Sequence, residues 1–170
     1  GDSQLPLRLL LTESHGEAVK MAAQLNQAND KRKVIENEIF QSALAQIEAT
    51  NKDAPAFVLA DRHWHPGVIG IVASRIVGHY HRPVALIALD EDGIGRASAR
   101  SIDGIDLSGA LAACQDHLVK FGGHKSAAGF TIAADAIPAF RAAFETQIQS
   151  SLEHLHAVPE LAIDALVSLS

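Results

Sequence analysis

The apolar positions of this chain change their spacing near residue 55. From residue 12 to residue 49 they recur every three or four positions, which predicts one long helix with a single apolar stripe. Thr12 is expected to be its N-cap, unless Gly16 resets the start, and the pair Asn29 and Asp30 is the expected place for a bend. At about 1.5 Å per residue such a helix spans roughly 55 Å, which is more than a small domain needs. We therefore expect a connector between two domains.

Beyond a break at residues 51–55, shorter apolar segments of two kinds alternate. The pattern predicts strands at 56–60, 84–89, 95–101 and 129–133, and helices at 67–79, 107–118 and 137–152. The segment 84–89 is apolar at every position, which is typical of a strand that is buried on both faces. This order predicts an α/β fold with a mixed central sheet that is flanked by helices and preceded by the long connector helix.

The composition narrows the class of protein. Of the 170 residues, 48% are hydrophobic, which is enough for one compact domain and an appended element. The net charge of −6 argues against a protein that coats nucleic acid by overall basicity, so such a contact would need a local basic groove. The single cysteine, Cys114, cannot form an internal disulfide, which fits a reducing cytoplasm. No apolar stretch approaches the roughly 20 residues that span a bilayer and no signal peptide is visible, so we expect a soluble, cytoplasmic protein without membrane contact.

The two ends of the chain lack the features of natural termini. The chain starts at Gly1 without a methionine and without an obvious element. At the other end, residues 161–169 resemble a strand that has no partner after it. Both features predict that the chain is an excised piece of a longer protein.

The first candidate for chemistry is the glycine-rich run at residues 121–130. Gly122 and Gly123 lack a Cβ, so their backbone can approach a ligand closely. His124 and Lys125 follow at positions where an anion held by that backbone would meet a donor. The alternative is an ordinary turn, which a Gly-Gly-His sequence also fits.

A second candidate lies in the segment 95–101. If this segment is extended, Arg96, Ser98 and Arg100 share one face, because strand side chains alternate with a period of two. Two guanidinium groups that flank a hydroxyl suit phosphate oxygens, which arginine can bind bidentately. The alternative is a solvated edge strand that carries surface arginines. The two runs together indicate a phosphate-contacting module rather than a complete active site.

Other polar residues receive a structural interpretation. The three His-x-His pairs lack a third metal ligand at a sensible spacing; they are His63 and His65, His79 and His81, and His154 and His156. The sequence from Trp64 to Gly67 fits either an anion-binding helix N-terminus or a Trp64 that fills the core with Pro66 at the start of the helix. We favour the second interpretation for Trp64 and Pro66, while the role of His65 stays open. Arg75 is expected to be an ordinary arginine on the polar face of its helix.

Three segments together resemble the RecJ family of bacterial single-strand-specific exonucleases, in the DHH phosphoesterase superfamily. They are residues 64–75, 98–102 and 122–129, and the resemblance extends over nearly the whole chain. It implies that residues 1–54 are the tail of a catalytic domain with its connector helix. It also implies a DHH-associated α/β domain at 55–156 and the start of an oligonucleotide-binding domain at 157–170.

The resemblance implies a 5′→3′ exonuclease that acts on single-stranded DNA in recombination and repair. Single-strand-binding protein is a further candidate partner. The family uses Mn²⁺ or Mg²⁺ in its DHH domain, so this chain alone is expected to bind no metal, to contain no catalytic residue and to be inactive. The family's contacts to the DNA backbone and the 5′ phosphate carry over by motif to Ser98, Arg100, Ser101, Gly122, Gly123 and His124.

Four further positions qualify this transfer. Arg96 matches a position that is basic in the family, and Lys125 joins the candidates from the glycine-rich run. Ala97 and Ala99 stand where the family is expected to have glycines, which favours contacts from side chains over contacts from the backbone of this strand.

Related families remain as alternatives. Oligoribonucleases and cyclic-dinucleotide phosphodiesterases of the DHH superfamily share the Gly-Gly-His motif, and alanyl-tRNA synthetases carry a related domain. The segment 64–75 favours the exonuclease. A non-catalytic nucleic-acid-binding module, in which the glycines serve only the fold or a protein contact, is the alternative from another class.

Overall fold

The computed structural model describes residues 4–155 of the chain. Its helices are α1 (Gln4–Leu11), α2 (His15–Ala49), α3 (Ile69–Tyr80), α4 (Leu107–Ala113) and α5 (Ile137–His154). Its strands are β1 (Phe57–Asp61), β2 (Val84–Leu89), β3 (Ile94–Arg100), β4 (Lys120–Gly123) and β5 (Ala127–Ala133). The strand predicted at 161–169 lies outside the described residues. Among the described helices, none combines the length and the apolar character that a membrane crossing requires.

The five strands form one mixed sheet in the order β1-β2-β3-β5-β4. The pair β1 and β2 is parallel, and α3 connects its two strands. The other three pairs are antiparallel. Helices cover both faces of the sheet, so the predicted α/β class with a mixed central sheet is confirmed.

The sheet separates two apolar cores. The core on one face contains residues of α2 and α3, and the core on the other contains residues of α4 and α5. In β2, Val84 and Leu86 belong to the first core, whereas Ala85 and Ile87 belong to the second. All four are fully buried, which confirms the prediction that this strand is covered on both sides.

The start of the long helix differs from the prediction. Ser14, rather than Thr12, is the N-cap of α2, and its hydroxyl accepts a hydrogen bond from the amide of Glu17 at 3.4 Å. The reason is α1, which the sequence analysis missed: the amide of Thr12 donates to the carbonyl of Arg8 at the end of that helix. The Thr12 hydroxyl instead donates to the Glu17 carboxylate at 3.1 Å.

The C-terminal half of α2 is part of the globular unit. Ile39, Ala43 and Ile47 recur at four-residue spacing and are buried in the core beside α3. The helix continues without a break through Asn29 and Asp30. The predicted connector is therefore anchored to the domain by about three turns of packed helix.

The helix predicted at 107–118 is shorter than expected. α4 ends at Ala113 and is followed by a 3₁₀ turn, Gln115–His117. Asp106 is the N-cap of α4, because its carboxylate accepts from the amide of Gly109 at 3.1 Å. Cys114 lies at the end of α4 and is buried, which raises the pKa of its thiol.

Candidate nucleic-acid interface

The three strands β3, β5 and β4 present one face that helices cover only in part. In β3 the buried positions alternate with accessible ones, and Ala97 and Ala99 point into the core beside α4 and α5. Arg96, Ser98 and Arg100 therefore share the opposite face, as the sequence predicts. α3 packs against β2 and β3 on this side. Farther along the sheet Gly129 and Gly122 are exposed, and we call this part of the sheet the open face.

The pairing of the strands brings the two candidate runs of the sequence together. Ser98 lies opposite Gly129, and Gly129 lies opposite Gly122. Residues that pair directly across antiparallel strands lie on the same side of the sheet. The open face therefore has three rows across the strands, which are Arg96, Thr131 and Lys120; Ser98, Gly129 and Gly122; and Arg100, Ala127 and the backbone of His124.

The two adjacent glycines have different physical roles. Gly123 has φ near +151°, and an added Cβ would collide with the backbone of Ala127 and Ala128. The fold therefore requires a glycine there. At Gly122 an added Cβ would meet no atom within 4 Å. No contact within the described part of the chain requires a glycine at Gly122, and the missing side chain leaves the open face flat at its outer strand, β4.

Arg100 is positioned by α3. A Cβ added to Gly70 would lie 3.0 Å from Nη2 of Arg100 and 3.3 Å from the hydroxyl of Ser98. Arg100 is half-buried, and its Nη1 donates to the carbonyl of Ala99 at 2.8 Å. The contact holds the guanidinium beside Ser98, so that the arginine and the serine hydroxyl are two neighbouring hydrogen-bond donors.

The open face carries positive charge without internal compensation. Within residues 4–155, the side chains of Arg96, Ser98, Lys120 and His124 form no hydrogen bond or ion pair. In the same part of the chain Arg100 has no acidic partner. Because the whole chain has a net charge of −6, Arg96, Arg100 and Lys120 form a local basic surface on an acidic body.

Two predicted site residues lie apart from the open face. The hydroxyl of Ser101 is enclosed, and within the described residues it has no hydrogen-bond partner. The carbonyl of Lys125 accepts from the amide of Leu107 at 2.9 Å, and its ammonium lies near Asp106. A hydrogen bond from the Ser108 hydroxyl is the main reason that the pKa of Asp106 lies below its usual value, and Lys125 contributes. The ligand role of Ser101 and Lys125 stays a prediction.

Lys120 was missed by the sequence analysis because β4 was not predicted. The signal that would have found it is the alternation from Val119 to Gly122, in which apolar residues take turns with Lys120 and Gly122. Four residues rich in glycine give a weak strand signal, and the pairing with β5 stabilises the strand.

The segment before α3 has a structural role. Trp64 is 4% exposed and its indole N–H donates to the hydroxyl of Ser42 at 3.2 Å, so its predicted place in the core is confirmed. The predicted helix start at Pro66 is wrong, because Pro66 lies in a turn and α3 begins three residues later, at Ile69. His65 accepts the amides that precede the helix, that of Gly67 on Nδ1 at 3.0 Å and that of Val68 on its carbonyl at 2.9 Å. These amides are therefore not free to bind an anion.

Arg75 joins two helices. Its Nη1 lies 2.9 Å from the Glu36 carboxylate of α2, and its guanidinium lies 4.0 Å from the centroid of the Phe40 ring. The side chain is exposed, as expected of an arginine on the polar face of its helix, but its pairing with α2 was not predicted.

The histidine pairs do not gather into a metal site in the described part of the chain. Residues 4–155 contain no group of three or more His, Cys, Asp or Glu residues that could hold a metal ion. His63 has one acidic neighbour, Asp61, whose carboxylate lies 3.0 Å from its Nδ1. His156 lies outside the described residues.

Comparison with known families gives a match over most of the globular unit. The family model described as the DHHA1 domain matches residues 53–150. Among curated proteins, the chain is similar to the single-stranded-DNA-specific exonuclease RecJ of Bacillus subtilis, with 36% identity over 93% of this chain and 20% of the relative. It is also similar to the RecJ of Thermus thermophilus, with 39% identity over 85% of this chain and 21% of the relative. The chain thus spans about a fifth of the length of these relatives.

Solved structures give the same result. The chain superposes on the crystal structure of Thermus thermophilus RecJ in complex with Mg²⁺ with a TM-score of 0.79 and 39% identity, over 88% of this chain and 23% of that one. A structure of exonuclease RecJ bound to manganese matches with a TM-score of 0.78 and 36% identity, over 92% of this chain and 39% of that one.

Proposed function

The chain belongs to the DHHA1 domain family, and from this we propose that it is the part of a single-strand-specific DNA exonuclease that holds the substrate. Its similarity to RecJ exonucleases makes such a nuclease the parent protein. In this proposal the parent degrades single-stranded DNA in the 5′→3′ direction during recombination and repair in the cytoplasm. The chain contributes the binding of the DNA backbone and the 5′ phosphate.

The observation that carries the proposal is the open face itself. Arg96, Ser98 and Arg100 lie in line on β3, beside a flat floor formed by Gly129 of β5 and Gly122 of β4. Same-face residues of a strand are about 6.6 Å apart, which is comparable to the separation of neighbouring phosphates in an extended single strand. The row can therefore follow an extended strand, with Arg100 and Ser98 at one phosphate and Arg96 about one nucleotide farther along, while Gly122 leaves space for the sugar-phosphate backbone.

The free donors suit this ligand better than they suit a structural role. Unpaired arginine and lysine side chains gain affinity by neutralising phosphates and releasing counterions. Arg100, held beside Ser98, can bind a terminal phosphate bidentately while the hydroxyl donates to a third oxygen. His124 ends the third row and is an additional donor to the 5′ end.

In this proposal the metal-binding site of the parent nuclease lies outside this chain. The structures of RecJ proteins that match the chain contain Mg²⁺ or Mn²⁺. The described residues of this chain offer no matching cluster of ligands, so they do not fit such an ion. We therefore assign no catalytic residue to the chain and expect it to be inactive alone. The segment 1–54 then leads from the metal-binding domain, and residues 157–170 lead into an oligonucleotide-binding domain.

The test is a titration of a short labelled single strand with the chain at low salt, followed by fluorescence anisotropy. We expect tighter binding of the 5′-phosphorylated strand than of the unphosphorylated one. Arg100→Ala should abolish this difference and should reduce the salt dependence of binding by about one phosphate contact. The matched control is Lys52→Ala, which removes one positive charge from an exposed side chain outside the open face.

Three results would count against the proposal. Equal losses in Arg100→Ala and Lys52→Ala would show that only overall charge matters. Binding that ignores the 5′ phosphate would remove the end-recognition part and favour a general nucleic-acid-binding module. An absence of binding would favour a purely structural role for the glycines.

A further inference from the structure

A small cavity lies beside the end of the open face that is farthest from Arg100. It has a volume of about 150 Å³ and is lined by Trp64, Pro66, Ala88, Leu89, Asp90, Ile94 and Arg96. Arg96 pairs with Ala88 across β2 and β3, and it also begins the first row of the open face. The cavity and the row of phosphate donors are therefore continuous at Arg96.

The lining of the cavity is mainly apolar. The indole N–H of Trp64 is already bound to Ser42, so Trp64 offers no polar group to the cavity. Ile94 lies on the same side of β3 as Arg96 and is 36% exposed. Within residues 4–155 the guanidinium of Arg96 has no partner. An apolar wall and a free planar cation thus meet at one opening.

We propose that this cavity holds one nucleobase of the single strand whose phosphates lie along the open face. This inference rests on the proposed function and adds the place of a base to it. Successive same-face residues of β3 are about 6.6 Å apart, so the cavity at Arg96 lies about one nucleotide beyond the phosphate that Arg100 and Ser98 bind. Pro66, Leu89 and Ile94 provide the apolar surface, and Arg96 stacks on or donates to the base from the rim.

The charges at the opening favour a neutral base over another phosphate. Asp90 also lines the cavity, and one of its carboxylate oxygens accepts from the amide of Ile94 at 2.8 Å. Its negative charge would repel a phosphate, whereas a base can place an amino group near a carboxylate. Because the walls are apolar, any of the four bases fits the same chemistry, and we expect little sequence preference.

The experiment uses 5′-phosphorylated strands in which a single abasic site is moved one position at a time from the 5′ end. With the unchanged chain, we expect one position near the 5′ end at which loss of the base weakens binding about five- to tenfold, the low end of what stacking contributes. Ile94→Ala should weaken binding of the intact strand and remove this dependence on position. Val34→Ala, which truncates an exposed apolar side chain on α2, is the matched control and should change neither.

The outcomes separate this inference from the proposed function. One outcome is an affinity that is the same for every position of the abasic site, while Arg100→Ala still abolishes phosphate-dependent binding. That result overturns the base site and leaves the proposed function standing. A position dependence that persists in Ile94→Ala places the base elsewhere and also overturns the inference. Loss of phosphate-dependent binding in the unchanged chain overturns both. Circular dichroism of Ile94→Ala checks that the variant is folded, and Arg96→Ala repeats the test if it is not.

Discussion

Gly70 of α3 lies directly over the guanidinium of Arg100, so that a Cβ at Gly70 would lie 3.0 Å from Nη2. The helix therefore rests on β3 through its backbone, and the arginine occupies the space that a side chain would take. This contact restricts the guanidinium to a position beside Ser98. A restricted side chain loses less entropy when it binds a phosphate.

The first prediction concerns this contact. Gly70→Ala should displace the guanidinium of Arg100 and weaken binding of a 5′-phosphorylated single strand severalfold. Stability should stay equal or rise, by up to about 1 kcal/mol, because alanine favours a helix more than glycine does. Anisotropy and thermal unfolding measure the two effects separately.

Gly78→Ala is the control for this prediction. It makes the same change in the same helix, at a position where a Cβ meets no atom within 4 Å. It should change stability in the same direction and leave DNA binding unaffected. Equal binding by both variants would show that the position of Arg100 does not matter.

The second prediction separates the two adjacent glycines. Gly123→Ala should destabilise the fold by about 1–3 kcal/mol, because it forces a side chain into a left-handed backbone conformation that β5 also crowds. Gly122→Ala should change stability by less than about 0.5 kcal/mol, since its Cβ meets open space. It should nevertheless weaken DNA binding, because the methyl group stands on the floor of the open face. Urea unfolding and fluorescence anisotropy of both variants measure stability and DNA binding. A large loss of stability in Gly122→Ala would contradict the prediction.

The third prediction concerns pH and Glu145 of α5. Burial raises the pKa of this carboxyl above its ordinary 4.5, and the nearby Arg141 opposes the shift in part. Because the pKa is raised in the folded state, the neutral carboxyl favours folding over the ionised one. This contribution to the free energy of unfolding is fully present below pH 4.5 and is lost as the pH rises through the folded pKa. Glu145→Gln should therefore be more stable than the unchanged chain at neutral pH.

The check is to measure the melting temperatures of the unchanged chain and of Glu145→Gln from below pH 4.5 to neutral pH. The difference between them should shrink as the pH falls below 4.5, where the glutamic acid is neutral in both states. A difference that does not change with pH would mean that the substitution acts through packing and not through the charge.

The fourth prediction uses the only tryptophan of the chain as a probe. Ser42→Ala removes the acceptor of the Trp64 indole N–H, which then lies buried without a partner in the described structure. The expected cost is about 1–3 kcal/mol in the free energy of unfolding, because an unpaired buried donor loses its hydrogen bond to water. Unfolding followed by tryptophan fluorescence measures it. Ser74→Ala on α3, whose exposed hydroxyl bonds only its own helix, should cost much less.

The local sequence pattern was sufficient to predict several strands of this protein and the face on which their side chains lie. The period-two alternation of Arg96, Ser98 and Arg100 placed three donors on one face, because a strand turns successive side chains to opposite sides. The apolar segment at 84–89 was identified as a buried strand for a similar reason. Each of these properties depends on the residue and its nearest neighbours in the chain.

Tertiary structure decided how these pieces form a site. Gly122 lies near Ser98 only because β5 pairs with both β3 and β4, and that register depends on side chains that meet across the sheet from distant parts of the sequence. The same pairing makes Gly123 necessary to the fold and leaves Gly122 free. The fold also encloses the Ser101 hydroxyl, which the motif alone had grouped with its neighbours. The local pattern therefore determined which donors share one face of a strand. Long-range strand pairing determined which glycines lie beside them on the sheet, because the register is set by contacts that no short segment contains.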